Sequence, residues 1–255
     1  MLNFRNINIL FVGLFLGVLL FSKLSLFSIT LLFIAWSITT MLGSFNIRWN
    51  YFLRAKNHFS ESSNNIYLTF DDGPNEEFTP KVLELLKAHN AKATFFCIGE
   101  NIQKHPKVFQ QIIDEGHSIG NHSFSHKPSF GFLSTKAVTK DIEKTQTLMK
   151  EGFGLETKLF RPPFGITNPN ITKAVETLNL ETIGWSVRSF DTFFKNPEMI
   201  VKMIKPQIKS GSVVLLHDKS QSSVELLELL LRELKNYSIT SVNLPVTTSK
   251  LDDAP

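Results

Sequence analysis

The chain has 255 residues and a formal net charge of +4, with 42% hydrophobic and 20% charged residues. That is enough for one barrel-sized domain and an appendage. The basic excess forms no Lys/Arg block and no basic-aromatic stripe, which argues against nucleic acid as a partner. The single cysteine, Cys97, rules out an intrachain disulfide and reads as a buried strand thiol in the apolar run from Ala93 to Ile98.

Residues 6–47 carry one charge, Lys23. Two apolar stretches, 9–21 and 24–42, flank Ser22-Lys23-Leu24-Ser25. Each alone is short to marginal for a span of about 20 residues. Together they are too long for a signal-peptide core, and no clear small-x-small cleavage site follows. The pattern predicts a two-helix membrane hairpin over residues 1–47, and with it a membrane location. One tilted span plus an interfacial helix, or a cleaved signal, are the other readings. Arg5, Lys23, Arg48, Arg54 and Lys56 are too few to fix which side of the membrane the following domain occupies.

Residues 48–65, polar and Ser/Asn-rich from Asn57 onward, read as a linker. Beyond it, strand and helix patterns alternate. Strands are predicted at 66–70, 93–98, 118–120, 158–160, 181–185, 212–216 and 239–242. Helices are predicted from Thr79-Pro80, at 106–115 ending on Gly116, and at 134–150, 170–178, 197–208 and 222–237. Repeated β-then-α units imply a parallel sheet. About seven units over residues 66–244 favour a (β/α) barrel, with 245–255 as a C-terminal tail. Such barrels carry their chemistry at the C-terminal ends of the strands.

Five motifs fall at predicted strand ends. Asp71 and Asp72 close the first strand before Gly73-Pro74. Adjacent strand carboxylates point in opposite directions, so one can ligate a metal while the other acts as a base. His122 and His126 stand at i and i+4, a spacing that puts both rings on one side of a helical turn. With one Asp they make a three-ligand set that leaves metal positions open. Arg161 leads Pro162-Pro163-Phe164-Gly165, a rigid loop from which a guanidinium can orient a carboxylate. Asp191 follows Trp185 and Arg188 and could hold a histidine in place. His217 ends the run Val213 to Leu216 and is well placed as a general acid. Read singly, each has an ordinary structural explanation: a turn, a surface or core histidine, a rigid connector.

Together and in this order, Thr69–Pro74 (TFDDGP), His122–His126 (HSFSH), Arg161–Phe164 (RPPF), Asp191 and Leu215–His217 (LLH) resemble the polysaccharide deacetylases, the NodB-homology domains of carbohydrate esterase family 4. The resemblance covers roughly residues 66–244. It implies a deformed (β/α) barrel and a divalent metal, usually Zn2+, held by Asp72, His122 and His126. It further implies Asp71 as base positioned by Arg161, and His217 as acid paired with Asp191. Leu215 would line the acetyl pocket, and a backbone N–H near Phe164 would assist. The implied reaction removes N-acetyl groups from amino sugars of a glycan.

Two positions depart from the family pattern. Where Asp-x-x-Asp-Trp is common, this chain has Arg188 for the first acid and Thr192 for the tryptophan. The second leaves one wall of the acyl pocket open to question. The first adds a positive charge that suits an anionic or lipid-phosphate-linked glycan, or else serves a surface salt bridge. Competing readings of the domain are an inactive glycan-binding scaffold on the same fold, and a deformylase or other amidase acting on a lipid-linked sugar.

Overall fold

The computed structural model describes residues 3–21, 25–60, 64–236 and 239–244. Its N-terminal part is two apolar helices, α1 (Phe4–Phe21) and α2 (Leu26–Phe45). Of the described helices, α2 is long and apolar enough by length and composition to cross a membrane; the apolar stretch of α1 is shorter. The turn expected at Ser22 to Leu24 lies outside the described residues. Trp36 Nε1 on α2 donates to Asn8 Oδ1 on α1 at 2.8 Å, and Phe4 N donates to Tyr51 O at 2.9 Å. The large apolar side chains of both helices are mostly exposed, Leu20, Leu26 and Phe27 among them.

Residues 48–60 are not a free connector. Ile47, Tyr51, Leu53 and Ala55 are buried, and β1 (Ala55–Lys56) pairs in parallel with β6 (Glu181–Ile183). The reason is burial: this stretch carries apolar side chains that close the flank of the sheet, and Phe59 beyond them packs on Tyr67. Ser44 Oγ donates to Thr167 O, and Thr167 N donates back to Ser44 O at 2.9 Å. The end of α2 is thereby tied to the globular domain.

The domain is built on parallel strands β2 (Asn65–Asp71), β3 (Ala93–Cys97), β4 (Ser118–Asn121), β5 (Leu159–Phe160), β6, β7 (Val187–Arg188) and β8 (Val213–His217). Their order is β1-β6-β5-β4-β3-β2-β8-β7, a curled half-barrel whose terminal strands, β1 and β7, are not paired to each other among the described residues. The sheet expected to close as a barrel is therefore open there, with two-residue strands at both ends. β9 (Thr240–Ser241) adds to the start of β2. The central strands β2, β3 and β8 are buried along almost their whole length. Strands covered on both faces are expected to be near-continuously apolar, as these are.

The helices α3 (Phe78–Ala88), α4 (Gly99–Lys104), α5 (Pro106–Asp114), α6 (Thr135–Phe153), α7 (Pro169–Thr177), α8 (Pro197–Ile204) and α9 (Gln221–Asn236) connect the strands. The amphipathic stripe on α6, Val138, Ile142, Thr145 and Met149, is fully buried. Ser134 caps its N-terminus and Gly154, at φ 64°, closes its C-terminus. These are the signals that start and stop a helix in isolation.

Candidate active site

The strand ends Asp71, Asn121, Phe160, Arg188 and His217 converge on one face of the sheet, as expected of a parallel α/β fold. There a cavity of ≈ 270 Å³ is lined by Asp71, Asp72, His122, His126, Phe164, Leu215 and His217, together with Gly165, Trp185, Arg188, Thr192, Phe193 and Lys219. All of these but Phe193 and Lys219 belong to the sequence motifs. Arg161 and Asp191 stand directly behind them, each within 2.7 Å of a lining residue.

Arg161 follows β5 and is completely buried. Its Nη1 donates to Asp71 Oδ1 at 2.7 Å and to Thr69 Oγ1 at 2.8 Å. Nε donates to Ile183 O and Nη2 to Gly184 O. Its guanidinium also lies 4.1 Å from the Phe96 ring centre. Burial presses its pKa down while the Asp71 charge opposes that, and a guanidinium stays protonated regardless. Asp71 is thus held by one oxygen, and its Oδ2 lies 3.8 Å from His122 Nε2.

Asp72 does not continue the strand. At φ 75° it turns out of β2, and Asn101 on α4 fixes it by donating Nδ2–H to its carbonyl at 2.7 Å. The turn sends its carboxylate toward the histidines: Oδ1 is 3.6 Å from His122 Nε2 and 3.3 Å from His126 Nε2. Its other oxygen accepts from Lys219 Nζ at 2.6 Å. Burial raises the Asp72 pKa, but the His122 hydrogen bond and the charges of His122, His126 and His217 outweigh it. The carboxyl is held well below the ordinary range.

His122 and His126 do not sit on a helical turn. Residues 122–127 form a loop bent by positive φ at Ser123 (66°) and His126 (46°). Asn121 Oδ1 accepts from Ser123 N, Ser123 Oγ accepts from His126 N, and Asp141 on α6 accepts from Phe124 N and Ser125 Oγ. These side-chain bonds stand in for the helical ladder and bring the rings to 4.8 Å between centres. His122 Nδ1 donates to Arg161 O at 2.8 Å, which leaves Nε2 facing Asp72. Burial, then the neighbouring His122, lowers the His126 pKa to about 4.

Across the cavity, His217 Nδ1 donates to Asp191 Oδ1 at 2.7 Å, and its backbone N–H donates to Asp191 Oδ2 at 2.9 Å. Ser189 Oγ donates to the same carboxylate at 2.8 Å. Burial disfavours charge on His217, yet the Asp191 hydrogen bond and charge prevail, and its pKa is raised. Asp191 is correspondingly lowered, its burial outweighed by His217 and Ser189. His217 Nε2 points into the cavity, 4.0 Å from Asp72 Oδ2.

The donor atoms of Asp72, His122 and His126 all lie within 4.8 Å of one another. With the carboxylate ionised, His126 neutral and His122 pinned through its far nitrogen, the set could hold a divalent cation. Sequence reasoning missed Lys219, Asn101, Asp141 and Phe193. Lys219 is two residues past His217 and Phe193 one past Thr192, so their offsets from motif positions were the available signal. Phe164 is half exposed at φ 59°, its ring 4.6 Å from that of His126, and Leu215 is buried at the cavity floor. Gly165 is required beside it: at φ 68°, a Cβ there would come within 2.4 Å of the Trp185 ring.

A half-barrel with an Asp-His-His cluster, a buried Asp-Arg pair and an Asp-supported histidine defines a class of hydrolytic site. Residues 60–183 match the polysaccharide deacetylase family. The chain is 38% identical over 184 residues to a peptidoglycan-N-acetylglucosamine deacetylase of Bacillus cereus, covering 71% of this chain and 66% of that protein. It is 34% identical over 185 residues to the peptidoglycan-N-acetylglucosamine deacetylase PgdA of Listeria monocytogenes, covering 72% of this chain and 39% of that one. The chain thus spans about two thirds of the first relative's length and two fifths of the second's. A crystal structure of a peptidoglycan N-acetylglucosamine deacetylase bound to 4-naphthalen-1-yl-N-oxidanyl-benzamide superposes with a TM-score of 0.70 at 36% identity, covering 74% of this chain and 90% of that one. This chain belongs to the polysaccharide deacetylase family.

Proposed function

We propose that the protein is a metal-dependent N-deacetylase of N-acetylated amino sugars in an envelope glycan, with peptidoglycan the first substrate to test. Residues 1–47 would hold it at the membrane. The observation that carries the reading is the pairing of two buried assemblies, Arg161–Asp71 and Asp191–His217, on either side of the Asp72-His122-His126 cluster. An inactive scaffold would have no need to keep all seven groups in working geometry.

Asp72, His122 and His126 would hold the cation, with Zn2+ the natural fit to one carboxylate and two imidazoles. A cation there would polarise the acetamide carbonyl and make a water more acidic. Asp71 takes the proton from the attacking water; Arg161 fixes one oxygen and leaves the other free for that role. As the water oxygen bonds to the carbonyl carbon, negative charge grows on the amide oxygen, where the N–H of the Phe164 loop can donate. His217, whose pKa the Asp191 hydrogen bond and charge raise, gives its Nε2 proton to the sugar nitrogen. The C–N bond then breaks, releasing acetate and a free amino sugar. Leu215 and Trp185 bound the space for the acetyl methyl.

The test is acetate release from peptidoglycan glycan strands and chitooligosaccharides, with formate measured in parallel. Acetate release that requires His217 supports the reading. Formate alone would move the protein to a deformylase, and glycan binding with neither product would make it a scaffold.

A further inference from the structure

We infer that Arg188 selects amino sugars bearing an oxyanion, a carboxylate or a phosphate, close to the reacting acetamido group; this rests on the deacetylase reading above. Arg188 ends β7 and lines the same cavity as Asp71, Asp72 and His217. Its guanidinium carbon lies 4.8 Å from the Phe190 ring centre and 5.6 Å from that of Trp185. The two rings lie within cation–π distance of the guanidinium and limit where it can move.

No such partner exists among the described residues: the Arg188 side chain makes no hydrogen bond and no ion pair there. The surface salt bridge that its sequence position allowed is therefore not formed. The nearby acid is already committed, since both Asp191 oxygens accept from His217 and one of them also from Ser189. The contrast with Arg161 is direct, for that guanidinium bonds through Nε, Nη1 and Nη2 to four acceptors. The cavity's other cation, Lys219, is taken up by Asp72. Arg188 is thus a half-buried charge beside two rings, offset at a distance by Asp191 and Asp71, with no acceptor in hydrogen-bond reach among the described residues. A planar fork matches the two oxygens of a carboxylate or phosphate bidentately, and a sugar hydroxyl only singly.

The test compares kcat/KM on three substrates: chitotetraose, which is neutral; an N-acetylglucosamine–N-acetylmuramic acid oligomer stripped of peptide, which carries free carboxylates; and N-acetylglucosamine 1-phosphate. Wild type is expected to prefer one of the anionic substrates, and which one separates carboxylate from phosphate recognition. Arg188→Gln is expected to lower the anionic-to-neutral ratio about tenfold, the scale of one half-exposed charge-assisted hydrogen bond. Arg188→Lys, which keeps the charge but not the fork, is expected to give an intermediate ratio. Equal losses on all three substrates, or no anionic preference in wild type, would overturn the inference. Affinity for the same ligands, measured by calorimetry on Asp71→Asn with and without Arg188→Gln, reads the interaction without turnover. Arg188-dependent anion affinity with no acetate release by the wild-type protein would sink the deacetylase reading and keep this one; wild-type release without that dependence would do the reverse.

Discussion

The two sides of the cleft solve different electrostatic problems. On the proposed base side, Asp71 leans on a guanidinium that is wholly buried, bonded to four acceptors and unable to lose its proton. On the acid side, His217 leans on Asp191, and both remain titratable. In the proposed reaction, one side would supply a fixed charge that keeps a carboxylate oriented, and the other a proton that must leave and return. A hydrolase of an amide needs both, because the amine is a poor leaving group until protonated.

That contrast can be broken most severely at Arg161. Arg161→Met removes one partner of a buried pair and strands the other, which costs about 3–5 kcal/mol. Denaturant unfolding should show that loss, and acetate release should be abolished in whatever folds. A variant with wild-type stability would mean that the buried pair is not the anchor of the base side.

Asp71→Asn leaves the fork its acceptor oxygen and removes only the base. Turnover should fall about 10²- to 10⁴-fold with the fold intact. On the acid side, the effect is a shift and not an abolition. Asp191 raises the His217 pKa, so Asp191→Asn lowers it and the proton is lost at lower pH. The alkaline limb of the kcat profile should move to lower pH; an unmoved limb would assign the acid elsewhere. Smallest of all is the effect at the exposed wall, where Phe193 is 70% exposed beside Thr192. Phe193→Ala should raise KM several-fold and leave kcat within about threefold, because a ring on the cavity rim would stabilise bound substrate and transition state alike. A kcat that fell with KM unchanged would place Phe193 against the reacting group instead.

Much of this was legible in the sequence because the proposed base and acid, Asp71 and His217, sit at the ends of strands with strong apolar runs. Residues 66–70 and 212–216 predict β2 and β8 almost to the residue, and Asp71 and His217 follow from them. What escapes a sequence reading is set by tertiary packing. β1 and β7 are two residues each, too short for any period, and exist because β6 and β8 offer them partners. α4 carries the Asn101 that turns Asp72, yet six residues starting at Gly99 give no helical signal. The spacing of His122 and His126 suggests a helix, and the rings do meet, but through Asp141 and two positive φ angles. Asp71 and Asp72 do not point apart as adjacent strand residues would: the left-handed turn at Asp72 leaves both carboxylates facing the same His122 Nε2, at 3.8 and 3.6 Å.

The central claim is that these adjacent acids have separate duties, Asp71 as base and Asp72 as ligand. Metal content by elemental analysis, set beside acetate release for Asp71→Asn and Asp72→Asn, tests it most directly. Asp71→Asn should keep the wild-type metal content with turnover lost, and Asp72→Asn should lose metal and turnover together. Loss of metal from Asp71→Asn, or wild-type metal content in Asp72→Asn, would contradict the division.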